Sequence, residues 1–400
     1  MLVSVPDCHS LQLAVPLAGM LQSVLTAFGG SYIKEKLAIY RFPYGSRIIF
    51  KGGTMATGCK YGTHRVIDPV GAMPQTARRI DNDMSKVYDN EILLDVIALN
   101  VDSASFTQIE QEAGHDVEKI AAKILSIVAE RGKQQNPVTG SGGMLIGKVA
   151  RIGSALKDRD LKVGDKIASL VSLSLTPLKI KKILKVMPEV DRVLIEGQAI
   201  LFESGIYAKL PEDMDEGLAL AALDIAGAPA QTAKLVKPGD TVLILGAGGK
   251  SGLMCCYEAM KRVGPTGRVI ANIRSERYVK PLRDMKLCHE IVMVDASKPV
   301  EMLNAVLAVN KGKEVDIVIN CVNMDGTEMS SILPVRDGGI VYFFSMATSF
   351  TRAALGAEGI GKDCIMLVGN GYTKDHAEIT LWELRENPQL RKYFEEQYVK

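Results

Sequence analysis

The segment Thr241-Val242-Leu243-Ile244-Leu245-Gly246-Ala247-Gly248-Gly249-Lys250-Ser251-Gly252 decides the fold of this chain. Its first five residues are β-branched or apolar and predict a buried strand, and the glycines that follow predict a tight turn. Apolar residues then recur with the helical period, at Leu253, Cys256, Met260 and Val263. Strand, glycine turn and helix in this order are typical of a dinucleotide-binding unit, because the glycines let the backbone approach a pyrophosphate at a helix N-terminus. An ordinary strand-to-helix turn is the alternative.

Strands and helices continue to alternate after this unit. The sequence predicts strands over 268–272, 290–294, 315–320, 339–344 and 364–368, with helices over 278–285 and 300–309. This order predicts a doubly wound parallel sheet, in which ligands lie beyond the carboxyl ends of the strands. The candidate cofactor-binding residues are therefore those of the turn and of the strand ends: Gly246, Gly248, Gly249, Lys250, Ser251, Asn272, Arg274, Ser275, Asp295, Cys321, Ser345 and Met346.

The end of the second strand bears on the choice of cofactor. An acidic residue at this place commonly binds the ribose hydroxyls of NAD. Here the place is taken by Asn272, and Arg274 with Ser275 could hold the 2′-phosphate of NADP. These residues favour NADP or the use of both cofactors, whereas a solvated charge at a helix start is the alternative interpretation of Arg274.

Composition and charge exclude several classes of protein. The net charge is +2, so no nucleic-acid partner and no membrane-binding surface are indicated. The longest apolar stretch, residues 11–28, is interrupted by Gln12, Pro16 and Gln22 and makes a poor membrane span. The seven cysteines are an odd number without disulfide or zinc spacing, which predicts a reducing, cytoplasmic location and no zinc site.

The front of the chain differs from the rest. Residues 1–54 have no clear periodicity and end in Lys51-Gly52-Gly53-Thr54 before Met55. Lysine and glycine codons in this order can resemble a bacterial ribosome-binding sequence. We therefore expect the natural start at Met55, with a genuine N-terminal extension as the alternative.

Residues 60–237 have a different organisation from the dinucleotide unit. The pattern predicts strands over 90–99 and 144–152, a helix over 116–131 and a glycine-rich loop over 137–143. Short strands with glycine turns suggest a compact, partly antiparallel barrel. A helix over 219–237 is expected to lead into the dinucleotide unit.

Two segments are similar to the medium-chain dehydrogenase/reductase superfamily: Val163-Gly164-Asp165-Lys166-Ile167, and Val236-Lys237-Pro238-Gly239-Asp240 followed by the strand and glycine turn. The resemblance implies an α/β protein with a GroES-like barrel as catalytic domain and a Rossmann domain. It places the catalytic domain at 55–224, with 370–400 returning to it, and the Rossmann domain at 225–369. The active site would lie in the cleft between the two domains. Copies of the chain would associate through strand 364–368 into a homodimer or homotetramer.

Zinc-containing members of the superfamily have a cysteine after the strand that corresponds to 91–99, but this chain has Asn100-Val101-Asp102-Ser103 there. The resemblance therefore implies a zinc-free member.

Three further segments resemble the 3,5-diaminohexanoate dehydrogenase family. They cover residues 60–67, 100–109 and 136–144, and the tail from Asp375 to Pro388 is also similar. This family belongs to anaerobic lysine fermentation, and the resemblance implies oxidative deamination of a diamino acid with NAD as the hydride acceptor. A substrate carboxylate would need an Arg or Lys partner, for which Arg65 is the candidate.

Amine oxidation requires a group that takes a proton from the substrate ammonium within hydrogen-bond reach. Asp102 is the candidate for binding the amine or acting as the general base, and Ser103 for orienting the amine or water. A turn aspartate and a capping serine are the alternatives. Asp224 could hold the second ammonium or be a helix-terminal acid. His64 could relay protons, and Thr139 and Ser141 on the glycine-rich loop could contact substrate, each with a purely structural alternative. A quinone or enoyl reductase and a non-catalytic dinucleotide sensor remain as other functions.

Overall fold

The computed structural model describes residues 38–41, 47–50, 57–345, 347–369 and 371–399. The chain divides into two units, Met1–Gly58 and Cys59–Lys400. In the first unit, β1 (Ala38–Arg41) and β2 (Arg47–Phe50) pair as an antiparallel ribbon. The expected start at Met55 lies outside the described residues.

The first half of the second unit is built on an antiparallel sheet. A two-stranded ribbon precedes it, formed by β3 (Val66–Asp68) and β4 (Arg79–Ile80). The six strands of the sheet are β5 (Glu91–Asn100), β6 (Met144–Ile152), β7 (Lys166–Ser169), β8 (Leu178–Met187), β9 (Arg192–Phe202) and β10 (Tyr207–Lys209). Their spatial order is β10-β7-β6-β5-β9-β8 and every neighbouring pair is antiparallel, which confirms the antiparallel strand pairing of the partly antiparallel barrel predicted for this half.

Two helices, α1 (Ser103–Glu112) and α2 (Val117–Arg131), cover one face of this sheet. The helix predicted over 116–131 is confirmed, and Asp116 caps it by accepting hydrogen bonds from the next turn. Its apolar residues recur every three to four positions, so Ile120, Ile124 and Ile127 meet the sheet in one core. Helix α1 was not predicted from the sequence.

The connection to the dinucleotide half consists of two helices, α3 (Glu216–Leu223) and α4 (Gly227–Leu235). The prediction of one helix over 219–237 is therefore wrong. Pro229 lacks an N–H and its ring would clash with the carbonyl four residues earlier in the interior of one continuous helix, whereas it is tolerated here in the first turn of α4. The Cα of Gly227 also packs so closely on Gly371 that a Cβ would lie 2.7 Å from its backbone. The break leaves Asp224 at the end of α3.

The second half is a parallel sheet. Its strands are β11 (Thr241–Leu245), β12 (Arg268–Ile273), β13 (Glu290–Met293), β14 (Val315–Asn320), β15 (Val335–Phe343) and β16 (Ile365–Val368), in the order β13-β12-β11-β14-β15-β16. This is the doubly wound order with the first strand at the centre, so the Rossmann prediction is confirmed. The strand predicted over 339–344 begins already at Val335.

Helices flank this sheet on both faces: α5 (Lys250–Val263), α6 (Val279–Asp284), α7 (Pro299–Val309), α8 (Glu328–Ile332), α9 (Phe350–Ile360), α10 (His376–Glu386) and α11 (Pro388–Tyr398). The last two pack against α3, and α10 also contacts α4 and α5. One apolar core contains residues of both sheets, among them Ile146 and Ile244, and therefore holds the two halves together. In the described ranges, no helix combines the length and apolar character needed to cross a membrane.

Candidate active site

The glycine turn after β11 has the geometry of a phosphate cradle. Gly246 has a φ of 77°, a left-handed conformation that favours glycine. A Cβ at Gly252 would lie 2.2 Å from the carbonyl oxygen of Gly246, so only glycine lets helix α5 start this close to the turn. Gly249 caps the helix without a side-chain hydrogen bond. The first turn of α5 can therefore receive an anion such as a pyrophosphate.

A cavity of about 360 Å³ lies beside this turn. Seven of the predicted cofactor residues line it: Gly246, Gly248, Gly249, Asn272, Arg274, Ser275 and Asp295. The Asn272 amide nitrogen donates a 2.9 Å hydrogen bond to the Val294 carbonyl, so this side chain fixes β12 against the chain after β13. Asp295 accepts hydrogen bonds from the Ser297 backbone and hydroxyl, which lower the pKa of Asp295. The basic side chain of Arg274 lines the same cavity.

A cleft of about 610 Å³ continues from this cavity, and Asn323 lines both. Ser251, Cys321 and Ser345 come to the cleft from the Rossmann half. Asp102, Ser103 and Asp224 face them from the barrel half and the connecting helices. A glycine cradle with one cavity at the outer strand ends and a second between the halves fits an extended dinucleotide, with its reactive end in the cleft.

The two carboxylate oxygens of Asp102 differ in their hydrogen bonding. Its Oδ1 accepts a 3.0 Å hydrogen bond from the Ser105 backbone N–H, which caps helix α1. Its Oδ2 is buried and has no hydrogen-bond partner among the described residues. A buried acceptor without a partner costs free energy, and a cation in the cleft would offset that cost. The capping bond therefore engages one carboxylate oxygen of Asp102 and leaves the charge of the other without a partner among the described residues.

A side pocket of about 250 Å³ adjoins the cleft and shares Ser103 and Asp224 with it. The Ser103 hydroxyl donates a 2.7 Å hydrogen bond to Oδ2 of Asp191. The Lys250 ammonium lies 3.0 Å from Oδ2 of Asp224. Three acids (Glu189, Asp191 and Asp224), two basic side chains (Arg192 and Lys250) and the Ser103 hydroxyl thus line this side pocket.

Comparisons with known proteins identify the family. The family model for the N-terminal domain of L-erythro-3,5-diaminohexanoate dehydrogenase matches residues 64–211. An L-erythro-3,5-diaminohexanoate dehydrogenase of Acetoanaerobium sticklandii is 68% identical over 343 residues, which are 86% of this chain and 99% of that protein. The chain belongs to the L-erythro-3,5-diaminohexanoate dehydrogenase family. The dehydrogenase of the same name from Fusobacterium nucleatum is 66% identical over 346 residues, 86% of this chain and 100% of that protein.

Solved structures with a similar arrangement are more distant than these family members. An alcohol dehydrogenase of Thermotoga maritima is 17% identical, with a TM-score of 0.48 over 78% of this chain and 86% of that one. The CurK enoyl reductase is also 17% identical, with a TM-score of 0.47 over 76% of this chain and 81% of that one.

Two candidate residues form a buried cluster that does not line the cleft of this family member. Arg65 donates from Nε to Oε1 of Glu91 at 2.5 Å and from Nη2 to Oε2 at 2.7 Å. His64 Nε2 lies 2.8 Å from the same carboxylate. Burial raises the pKa of Glu91, but the hydrogen bonds from Arg65 and His64 outweigh it and lower the pKa to about 2. Arg65 is engaged in this ion pair and is therefore not available to a substrate carboxylate. His64 contacts the same Glu91 carboxylate and does not line the cleft.

Thr139 holds the glycine-rich loop in place. Its Oγ1 lies 2.5 Å from the Ser105 hydroxyl and accepts a hydrogen bond from the Ser141 backbone. Ser141 rather than Thr139 lines the cleft. Met346 lies outside the described residues.

The structure also places in the site residues that sequence reasoning missed. Gln75 and His376 line the cleft, and Asp191 lines the side pocket. Burial lowers the pKa of His376. Pro188 and Asp191 are turn-forming residues, a signal that could have predicted a turn here but not a site. In the described part of the chain, no three His, Cys, Asp or Glu side chains cluster as metal ligands.

Proposed function

We propose that this chain oxidatively deaminates L-erythro-3,5-diaminohexanoate at its 3-amino group. The products are 5-amino-3-oxohexanoate and ammonia, and the reaction belongs to lysine fermentation in a reducing cytoplasm. The names of the two curated relatives support the substrate. Cys255, Cys256, Cys288, Cys321 and Cys364 form no disulfide among the described residues, which is compatible with a reducing compartment.

The single observation that carries the proposal is that Asp102, a residue of the cleft wall, has a buried Oδ2 with no hydrogen-bond partner in the described part of the chain. A carboxylate oxygen at this position accepts a hydrogen bond from a substrate ammonium. An apolar alkene or quinone would leave the same oxygen unpaired and would lose that free energy. The acid therefore favours an amine over the substrate of an enoyl or quinone reductase.

Different residues of the cleft bind the two ammonium groups of the substrate. Bound NAD would supply the hydride acceptor. Asp102 binds the reacting ammonium, Ser103 orients it, and Asp224 holds the second ammonium across the cleft. Nitrogen bears the developing positive charge in this reaction, so we propose that it proceeds without zinc.

For the cofactor we propose NAD, with NADP as the alternative. The family resemblance supports NAD. Arg274 and Ser275 in the cavity beside the glycine turn support a 2′-phosphate and hence NADP. Kinetics with each cofactor decide between them.

We further propose a homodimer or homotetramer formed through β16. This strand is at the edge of the parallel sheet, and Ile365 and Val368 are each 55% exposed. An exposed apolar edge strand favours pairing with another copy. Light scattering on Val368→Lys tests this, because a charge on the edge should yield monomers.

The test of the reaction uses the purified full chain with 3,5-diaminohexanoate and either NAD or NADP, followed by absorbance of the reduced cofactor. We expect turnover, and a loss of kcat/KM of about 100-fold in Asp102→Asn. Asparagine also caps helices well, so this variant keeps helix α1 while losing the charge. Cofactor binding without any turnover would overturn the proposal and favour a reductase or a sensor.

A further inference from the structure

We infer that Asp191 is the residue that receives the substrate's ammonium proton, passed to it by the hydroxyl of Ser103. The inference rests on the proposed oxidation of an amine in the cleft. Asp191 does not line that cleft itself, so it acts through Ser103 as a positioning and proton-accepting residue.

The first support is how firmly the hairpin turn holds Asp191 against the loop after β5. The turn between β8 and β9 is a short helical turn, Pro188–Val190, followed by Asp191 with a φ of 53°. This left-handed conformation is unfavourable for most side chains but is tolerated by Asp and Asn. The Asp191 carbonyl accepts a 3.0 Å hydrogen bond from the Val101 backbone N–H. The backbone contact fixes Asp191 beside the loop that carries Asp102 and Ser103.

The second support is the direction of the hydrogen bond between the two side chains. The Ser103 hydroxyl lines the cleft and donates to Asp191 Oδ2 at 2.7 Å, so its lone pairs remain available to the cleft. A serine hydroxyl can accept one proton and release its own to the carboxylate in the same event. The bond spans 88 residues of sequence, so it exists only because the two turns meet in the fold.

The third support is an exit for the proton. Asp191 lines the side pocket, whose volume of about 250 Å³ is large enough for several waters. The charged groups that face or surround Asp191 are Lys250, Asp224, Glu110, Glu189 and Arg192. Burial raises the pKa of Asp191, while the Ser103 hydrogen bond and the Lys250 charge oppose the rise. A carboxylate with a raised pKa binds a transferred proton better than an ordinary one.

The step balances in protons and electrons. One N–H bond of the substrate ammonium breaks, and its proton forms an O–H bond with Ser103 Oγ. The original Ser103 O–H bond breaks, and that proton forms an O–H bond with Asp191 Oδ2. The nitrogen keeps its electron pair, which it needs before the neighbouring carbon can release a hydride. Asp191 then releases the proton to water in the side pocket.

The test compares Asp191→Asn with the wild type in the full chain, using 3,5-diaminohexanoate and the preferred cofactor. Asparagine fits the left-handed turn and still accepts the Ser103 hydrogen bond, but it cannot take the proton. We expect kcat to fall about 100-fold with little change in cofactor affinity or melting temperature, and the acid limb of the kcat/KM pH profile to disappear. Asp191→Glu, which restores a carboxylate, should recover part of the rate.

Further variants separate the relay from a structural role. Ser103→Ala should lose as much as Asp191→Asn, and the double variant should lose no more than either, because both cut one pathway. The matched control is Asp116→Asn, an exposed capping residue of α2 that lines neither the cleft nor the side pocket and should behave as wild type. Wild-type turnover with a retained rate and pH profile in Asp191→Asn overturns the relay alone. Absence of wild-type turnover overturns the proposed function and the relay together.

Discussion

The Lys250 ammonium lies 3.0 Å from the carboxylate of Asp224. Lys250 is the first residue of α5, directly after the glycine turn, and Asp224 ends α3. The ion pair therefore joins the phosphate cradle to the wall of the cleft. Asp224 lines both the cleft and the side pocket, so a cationic substrate group has to share this carboxylate with Lys250.

This geometry predicts that Asp224→Asn raises KM for the diamine. Loss of a charge-assisted hydrogen bond should raise KM about tenfold or more, while kcat changes little because the reacting ammonium binds elsewhere. Steady-state kinetics with varied diamine measure it. Asp284→Asn, an exposed acid on α6, is the control. An unchanged KM, or weakened cofactor binding alone, would mean that Asp224 only positions Lys250.

The buried cluster of Arg65 and Glu91 predicts a large loss of stability in Glu91→Gln. Removing the carboxylate leaves the Arg65 charge buried without its partner, which should cost about 3 kcal/mol in the free energy of unfolding. Glu196→Gln removes an exposed pair with Lys181 and should cost less than about 1 kcal/mol. Urea unfolding of the three proteins gives both values, and equal losses would contradict this account.

The same cluster predicts how stability depends on pH. The pKa of Glu91 is lowered to about 2 in the folded state, below its ordinary value. A lowered pKa stabilises the fold above the unfolded-state pKa and loses this contribution as pH falls through the folded pKa. The gap in unfolding free energy between wild type and Glu91→Gln should therefore be constant near neutral pH. It should shrink as pH falls from about 5 to about 2.

Gly252→Ala tests the close contact between α5 and the glycine turn. The added Cβ would lie 2.2 Å from a backbone oxygen, and backbone cannot move aside as a flexible side chain can. We expect a loss of about 1–3 kcal/mol in stability together with weaker dinucleotide binding. Gly359→Ala in α9 is the control, because no heavy atom lies within 4 Å of the position of its Cβ. A melting temperature equal to that of wild type would rule out the proposed close approach.

Arg274→Ala tests which dinucleotide the cavity prefers. Arg274 lines the cavity beside the turn, where a 2′-phosphate would need a positive partner. If Arg274 binds that phosphate, the variant should bind NADP about tenfold more weakly and NAD unchanged. Calorimetric titration of both cofactors measures this, with Arg283→Ala on α6 as the matched surface control. Equal effects on NAD and NADP would show that Arg274 does not distinguish them.

The dinucleotide half could be predicted because the patterns that mark its strands and turns each lie within a short segment of sequence. Strand Thr241–Leu245, its glycines and the strands at either side need only neighbouring residues to be recognised. Pro229 is a local signal against one continuous helix over 219–237, but the place of the break also depends on a contact between residues distant in sequence. The contact of Gly227 with Gly371, distant in sequence, contributes to the break at Asp224.

The sequence by itself determined the doubly wound sheet, the antiparallel partner sheet and the candidate acids Asp102 and Asp224. Each of these follows from periodicity, turn residues or family resemblance, which can be recognised within short segments. Only the tertiary structure decided which polar atoms of the candidate residues already form hydrogen bonds or ion pairs. It paired Arg65 with Glu91, left Oδ2 of Asp102 without a partner among the residues that the structure describes, and joined Ser103 to Asp191 across 88 residues. Such contacts depend on how distant turns pack together, and packing is not encoded in the spacing of any single segment.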